Sequence, residues 1–362
     1  MLKDNAMQNL SHPGIYLVDE LAKQNMSRKE LSIRTGVTEK HISTVINGKK
    51  DISPSFAKKL EYALGFSASY WLSLQNEYDR ALLDYEEEHQ ITKEEINILK
   101  PLSDISKYMN EIGMLNNGNN EAEQVMNLRK VLRVTSLLSI PEISYNAAYR
   151  AQISTNVHID VYVLYAWQCV CEFLTKDIAV NKNLNKPILQ KKLSLIKSLM
   201  FNEPNFIAEQ LEKIFAECGI AFCIVKHFRG APVQGFIKLT GDDHIILCIT
   251  IRQARADIFW FTLFHEIAHI LNDDMDIRFV DFSSVKSDIE ARADKMARDI
   301  LIDNKAYMNF VKQRDFSLEN ITNFANLQKV QPYIVIGRLQ SDELIDWSCY
   351  TSSLVKYKWI EN

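Results

Sequence analysis

The residues of this chain that could do chemistry are concentrated in Phe261-Thr262-Leu263-Phe264-His265-Glu266-Ile267-Ala268-His269-Ile270-Leu271. Side chains four positions apart share one face of an α-helix, so His265 and His269 can direct two imidazoles at one metal ion, with Glu266 beside them as a base. The flanking Phe261, Leu263, Phe264, Ile267, Ala268, Ile270 and Leu271 make the helix apolar on most sides, as expected of a helix that holds a rigid site inside a core. From composition alone the pattern arises in roughly one chain of this length in a hundred. Its surroundings must therefore separate a site from a buried helix with two incidental histidines.

Catalytic zinc takes three protein ligands and keeps a fourth position for water. The third ligand is expected in Ser287-Asp288-Ile289-Glu290-Ala291-Arg292-Ala293-Asp294-Lys295-Met296-Ala297-Arg298-Asp299-Ile300-Leu301. There Ile289, Ala293, Met296, Ala297, Ile300 and Leu301 recur at helical spacing, and Glu290 and Asp294 share a face four residues apart. Glu290 is read as the metal ligand and Asp294 as the acceptor for the free ring N–H of a zinc histidine, which fixes tautomer and orientation. Zn2+ would bring the pKa of its water toward about 7, Glu266 would take the proton, and a peptide bond would be hydrolysed without a covalent intermediate.

This region resembles the ImmA/IrrE family of zinc metallopeptidase-like domains, over about residues 201 to 305, and Phe261 to His269 follows that family's first motif closely. The second motif departs from it: Arg292 stands where the family often has a second Glu, Met296 replaces Phe, and Asp303 replaces a Pro. Glu290 is left as the only glutamate of that helix. The resemblance implies a zincin-like domain with a small antiparallel sheet before the zinc helix. The β-rich runs Ala221 to Val225, Gln234 to Leu239 and His244 to Ile249 fit such a sheet, separated by turns at Arg229-Gly230-Ala231-Pro232 and Gly241-Asp242-Asp243. An edge strand over Gly235 to Leu239 either holds an extended substrate or is a simple structural strand.

The first eighty residues hold a second constellation. Ser27-Arg28-Lys29-Glu30 is a capping box opening a short helix, Gly36-Val37 turns the chain, and Thr38 caps a helix from Glu39 to Ile46 that Asn47-Gly48 ends. Ser53-Pro54 starts the helix whose Phe56, Leu60 and Leu64 close the core. Two short helices around a glycine turn are the helix-turn-helix plan, whose second helix enters the major groove. Five ordered fragments resemble the HigA branch of the XRE/Cro family: His12-Pro13-Gly14, Leu31 to Gly36, Val37 to Ser43, Asn47-Gly48-Lys49 and Trp71-Leu72-Ser73-Leu74-Gln75. That resemblance implies that Thr38, Glu39, Lys40, Ser43 and Thr44 face the groove, while Asn47, Lys49 and Lys50 lie near phosphates. Glu39 either accepts from a cytosine amine or orients Lys40. The implied partner is double-stranded operator DNA, an inverted repeat read by a homodimer.

Composition frames the rest. A chain of 362 residues, 47% hydrophobic and 24% charged, can bury two or three cores, and a net charge of -4 excludes a globally basic nucleic-acid coat. Six cysteines without a CxxC pair read as reduced core thiols. The start has no apolar signal core and no apolar run approaches a membrane span, so a cytoplasmic protein without membrane contact is expected. The fold class is mainly α with a small α+β domain. Residues 1–80 form a helix-turn-helix bundle, 81–200 a helical middle region, 201–305 the zincin-like metallopeptidase domain, and 306–362 C-terminal helices. Asn116-Asn117-Gly118-Asn119-Asn120 is read as an exposed loop, and Gly337-Arg338-Leu339-Gln340 resembles an element of long HigA-like proteins carrying the metallopeptidase-like domain. Two functions fit. One is a DNA-binding regulator that cleaves a regulatory protein with zinc-activated water. The other is a non-enzymatic HigA-like antitoxin or autorepressor whose metal domain binds a toxin, partner or signal.

Overall fold

The computed structural model describes residues 11–146, 159–181, 183–240, 244–274 and 285–359; the turn expected at Gly241-Asp242-Asp243 lies outside them. The chain divides into two compact units, Met1–Thr92 and Lys93–Asn362.

In the first unit, local capping chemistry sets each helix. His12 Nδ1 accepts from the Gly14 amide at the start of α1 (Pro13–Lys23), and Ser27 Oγ accepts from Glu30 at the start of α2 (Arg28–Thr35). Gly36, at φ 64°, adopts the left-handed conformation that turns α2 toward α3 (Glu39–Ile46), which Thr38 caps. Ser53 caps α4 (Pro54–Leu64), and Ser67 caps α5 (Ala68–Gln90), which runs on through the position of the expected boundary at residue 80. Leu17, Leu31, Ile42, Val45, Leu60 and Trp71, drawn from all five helices, are fully buried and form one core. Gln75 ties α5 to the loop after α3 by accepting from the Ile52 amide at 2.9 Å.

The second unit opens with α6 (Lys93–Asn97), α7 (Leu99–Glu111), α8 (Glu121–Leu132) and α9 (Ile140–Asn146). The Asn-rich stretch between α7 and α8 is a loop whose Asn120 caps α8. Glu95, only 2% exposed, is satisfied by Arg129 Nε at 2.9 Å and the Leu137 amide at 2.7 Å. There follow α10 (Val161–Thr175), α11 (Lys186–Ser198) and α12 (Pro204–Glu217), then β1 (Ile220–Val225), β2 (Gly235–Leu239) and β3 (Ile245–Thr250). The expected antiparallel sheet is instead mixed: the order is β1-β3-β2, with β1 parallel to β3 and β2 antiparallel to it. The reason lies in β3, whose run Ile-Ile-Leu-Cys-Ile does not alternate and is buried at every position. A strand apolar on both faces belongs in the middle, so β3 inserts between its two predecessors.

Cys223 of β1 faces Cys248 of β3 with sulfurs 3.4 Å apart, and all six cysteines are free thiols. Burial pushes the Cys171 thiol up to about 11, which keeps it protonated. Beyond the sheet come α13 (Ala256–Leu271), α14 (Val285–Leu301), α15 (Asn304–Lys312), α16 (Leu318–Gln328) and α17 (Pro332–Ser341). Their apolar faces, including Phe264, Ile267, Ala297, Ile321 and Val335, share one core with β1 and β3. Among the described residues no helix is long and apolar enough to cross a membrane.

Gly14 lets α1 pack closely on α3, because a β-carbon there would meet the Val45 carbonyl and lie 2.9 Å from Ile46 Cα. Backbone cannot yield as a side chain can. Gly14→Ala is expected to destabilise the unit by about 1–3 kcal/mol, read as a lowered urea midpoint at constant slope.

Candidate functional site

α13 is buried on nearly all sides, so its polar residues must find partners within the protein. The neighbour that supplies them is α14, which turns Ile289, Ala293, Ala297 and Leu301, spaced by four, into the core. Two alanines in that stripe let the helix axes come close. Glu290 and Asp294 each follow a stripe residue by one position, so they sit at the edge of the contact, within reach of the α13 histidines.

Three atoms converge there. His265 Nε2 lies 2.9 Å from His269 Nε2 and 3.1 Å from Glu290 Oε2, and His269 Nε2 lies 3.5 Å from the same oxygen. Ligand atoms of a tetrahedral ion bound at about 2.0–2.1 Å are about 3.3 Å apart, so the spacing matches a small divalent cation within a few tenths of an ångström. His265, His269 and Glu290 form the one such group among the described residues. The opposite ring nitrogens are held by acids: His265 Nδ1 is 2.8 Å from Asp294 Oδ1, and His269 Nδ1 is 3.4 Å from Asp274 Oδ2. With Nδ1 as donor to its acid, each Nε2 would have a lone pair to give a cation bound at the centre.

Asp274 and its supports were not visible in the sequence reading. α13 ends in a turn in which Asp273 takes φ 62° and the Asp274 amide donates to the His269 carbonyl at 3.1 Å. This six-to-one bond is a Schellman closure, and it folds the Asp274 carboxylate back onto the His269 ring. Asp274 is 1% exposed and accepts from Arg292 Nη2 at 3.1 Å. Arg292, the departure from the glutamate often found there, thus has a structural partner. Asp273 and Asn272 are residue types tolerant of such a turn, which is the one local signal the sequence carried.

Glu266 is 6% exposed and points toward β2. A β-carbon on Gly235 would stand 2.5 Å from Glu266 Oε1 and 2.7 Å from its Cδ, so any side chain there would displace this carboxyl from its present position. Burial lowers the basicity of His265, but hydrogen bonds to Asp294 and Glu290 outweigh it and raise its pKa to about 10. Burial opposes ionisation of Glu290, and the two imidazoles overcome it, holding the carboxyl well below its ordinary range. The arrangement attracts positive charge.

In the first unit, Thr38, Glu39 and Lys40 are exposed at the start of α3, Ser43 and Thr44 are half-buried, and Asn47, Lys49 and Lys50 are exposed beyond it. Several are already engaged. Thr38 Oγ1 accepts from the His41 amide at 3.2 Å, Thr44 Oγ1 donates to the His41 carbonyl at 2.7 Å, and Asn47 Nδ2 donates to Ser43 Oγ at 3.3 Å. Lys50 Nζ lies 3.0 Å from His41 Nδ1, and the His41 ring meets Phe56 edge-on at 5.2 Å. His41 is half-buried.

A helix-turn-helix family model matches residues 19–71. Virulence-associated protein A' of Dichelobacter nodosus is 36% identical over 74 residues, 20% of this chain and 64% of that protein's length. An uncharacterized HTH-type transcriptional regulator, YddM, of Escherichia coli (strain K12) is 31% identical over 75 residues, 21% of this chain and 80% of that protein. Among solved structures, an addiction module antidote protein of a HigA family from Coxiella burnetii is 26% identical, covering 23% of this chain and 95% of that one, with a TM-score of 0.21.

The His265 environment makes a pH-dependent stability in chelator-treated protein. Its folded pKa, about 10, exceeds its ordinary value of 6.5, so the stabilisation is complete below pH 6.5 and fades as pH rises toward 10. Glu290 acts oppositely, losing its contribution as pH falls below 4.5. Urea unfolding across this range should show declining stability on the alkaline side, and His265→Gln should flatten that decline. An unchanged slope in the variant would locate the titrating group elsewhere.

Proposed function

We propose, for a chain that belongs to the helix-turn-helix family of transcriptional regulators, that its first unit binds operator DNA and its second unit is a zinc-dependent peptidase acting on a regulatory protein. The observation that carries the second half is the convergence of His265 Nε2, His269 Nε2 and Glu290 Oε2, with both Nδ1 atoms held by acids. Two imidazoles and a carboxylate at this spacing suit Zn2+, which supplies Lewis acidity and a nucleophile at neutral pH.

Within that reading, each residue of the chain has a task. His265, His269 and Glu290 hold the cation, while Asp294 and Asp274 fix the two ring tautomers. Arg292 anchors Asp274. Glu266 accepts the proton from the attacking water and returns it to the leaving amine, the role suited to a buried carboxylate adjoining a metal ligand. Gly235 keeps that carboxylate in place and lets an extended chain, added along β2, pass close to it. β2 pairs only with β3 among the described residues, which leaves one side of the strand for such an addition.

On the DNA side, a dimer reading an inverted repeat is the arrangement that gives so small a unit adequate specificity. Lys40→Ala should relax base preference at particular positions. Lys49→Ala should weaken binding to all sequences and shallow the salt dependence by about one unit. Gel shifts and footprints on the region upstream of the gene would check both, and absence of a protected repeat at low salt would remove the operator reading.

For the metal, His269→Ala and Glu290→Ala should abolish zinc retention, and Asp274→Ala should weaken it by about 10 to 100-fold. Glu266→Gln should keep zinc while cleavage of a proteome-derived peptide library, followed by mass spectrometry, falls by about a hundredfold or more. Full zinc in Glu290→Ala would overturn the ligand set. Zinc binding with no cleavage by the native chain would favour the second reading, an antitoxin-like autorepressor whose metal unit binds a protein partner.

A further inference from the structure

Between α13, α14 and α17 lies a cavity of about 160 Å³ that the proposed chemistry does not use. Ile258 and Phe261 of α13, Leu301 of α14, Ile334 of α17 and Trp347 give it mainly hydrocarbon walls. An apolar cavity of about 150 Å³ takes one benzene-sized ring, so the space suits a single aromatic ring and little more.

The polar lining is unevenly matched. Asp257 borders the cavity, but its two oxygens are taken by Arg255, at 2.9 and 2.7 Å. Arg298 and Arg338 border it as well. The Arg338 side chain is 10% exposed and lies over the Tyr307 ring at 3.8 Å. Its terminal nitrogens reach the carbonyls of Arg298 and Ile302 at 3.5 and 3.3 Å and Asn304 Oδ1 at 3.2 Å. Its Nε–H has no hydrogen-bond partner among the described residues, and the nearest acid oxygen, Asp342 Oδ2, is 3.8 Å away. Asp342 is itself shared, accepting from Tyr307 at 2.7 Å and facing Arg298 at 3.3 Å. That Nε is sealed from the cavity, but Arg298 and Arg338 share the single carboxylate of Asp342, so two guanidiniums border the cavity with one acid between them, and an anion in the cavity would balance that charge.

We propose that this cavity is a binding site for a small aromatic carboxylate, its ring among Ile258, Phe261, Ile334 and Trp347 and its carboxylate facing Arg338 and Arg298. Such a ligand would sit against the two helices that carry His265, His269 and Glu290. The site stands on its own residues and needs no metal.

The test uses the full chain, treated with chelator, titrated with benzoate by calorimetry and by ligand-observed NMR. A ligand of this size should bind with a Kd of about 0.1–1 mM, and benzyl alcohol, which keeps the ring and loses the charge, several-fold more weakly. Ser341 lines the cavity and is exposed, so Ser341→Trp can obstruct it without disturbing the core, and binding should vanish. Arg298→Gln, at a partly exposed position, should weaken benzoate by about two- to fivefold and leave benzyl alcohol unchanged. Equal binding by the native chain and Ser341→Trp would place benzoate elsewhere and overturn the proposal. So would equal affinity for benzoate and benzyl alcohol, or no binding at all. None of these outcomes depends on zinc, so a failure here and a failure of the peptidase reading are distinguishable.

Discussion

The close approach of α14 to α13 is the constraint on which the candidate site depends. His265 and His269 are placed by one helix, but Glu290 and Asp294 come from another, and the distance between them is set by Ala293 and Ala297, both fully buried. Larger side chains at either position would part the helices, since close-packed interiors pass on a volume change rather than absorb it. The spacing of 3.1 Å between His265 and Glu290 therefore reflects core packing as much as local chemistry. The same packing sheds light on the flanks of α13, where Trp260, Phe264 and Ile267 are buried away from the acids and hold the helix against rotation.

Electrostatics imposes the second condition. Glu290, Asp294 and Asp274 gather around two imidazoles, with Glu266 close by and Arg292 paired to Asp274. Glu290 and Asp294 are half-exposed, but Glu266 and Asp274 are buried, and carboxylates in a dry interior need compensating charge. A proton on His265 supplies part of it, which is why its pKa rises despite burial. A divalent ion at the convergence of the three donor atoms would supply more, and would compete with that proton for the same lone pair.

How much of this could be read from sequence follows from whether the information is local. The helices of the first unit are set by residues three or four apart, such as Ser27 with Glu30 and Thr38 with His41, so caps and turns could be placed almost residue by residue. The α13 motif was equally legible, because a period of four on an apolar helix fixes which side chains share a face. The sheet order was not, since strand direction and neighbours depend on which strand is buried on both faces, and a continuous apolar run in β3 was read only as a strand. Asp274 escaped because its position is created by a turn, and Gly235 because its close approach to Glu266 joins segments some thirty residues apart. Arg292 looked like a defect in a pattern until its partner was known.

The α3 face carries a further lesson about what sequence assigns to a surface. Capping and base readout compete for the same hydroxyl, and Thr38 Oγ1 and Thr44 Oγ1 are already bonded to the backbone of their own helix. A hydroxyl that caps a helix contributes about 1 kcal/mol to its stability, so it is not freely available to a base edge. Lys50, though exposed, lies 3.0 Å from His41 Nδ1. What remains exposed without a described bond of its own at the start of α3 is Lys40, with Glu39 beside it. Substitutions at Thr38 or Thr44 therefore carry a cost in helix stability that a change at Lys40, which makes no such bond, does not.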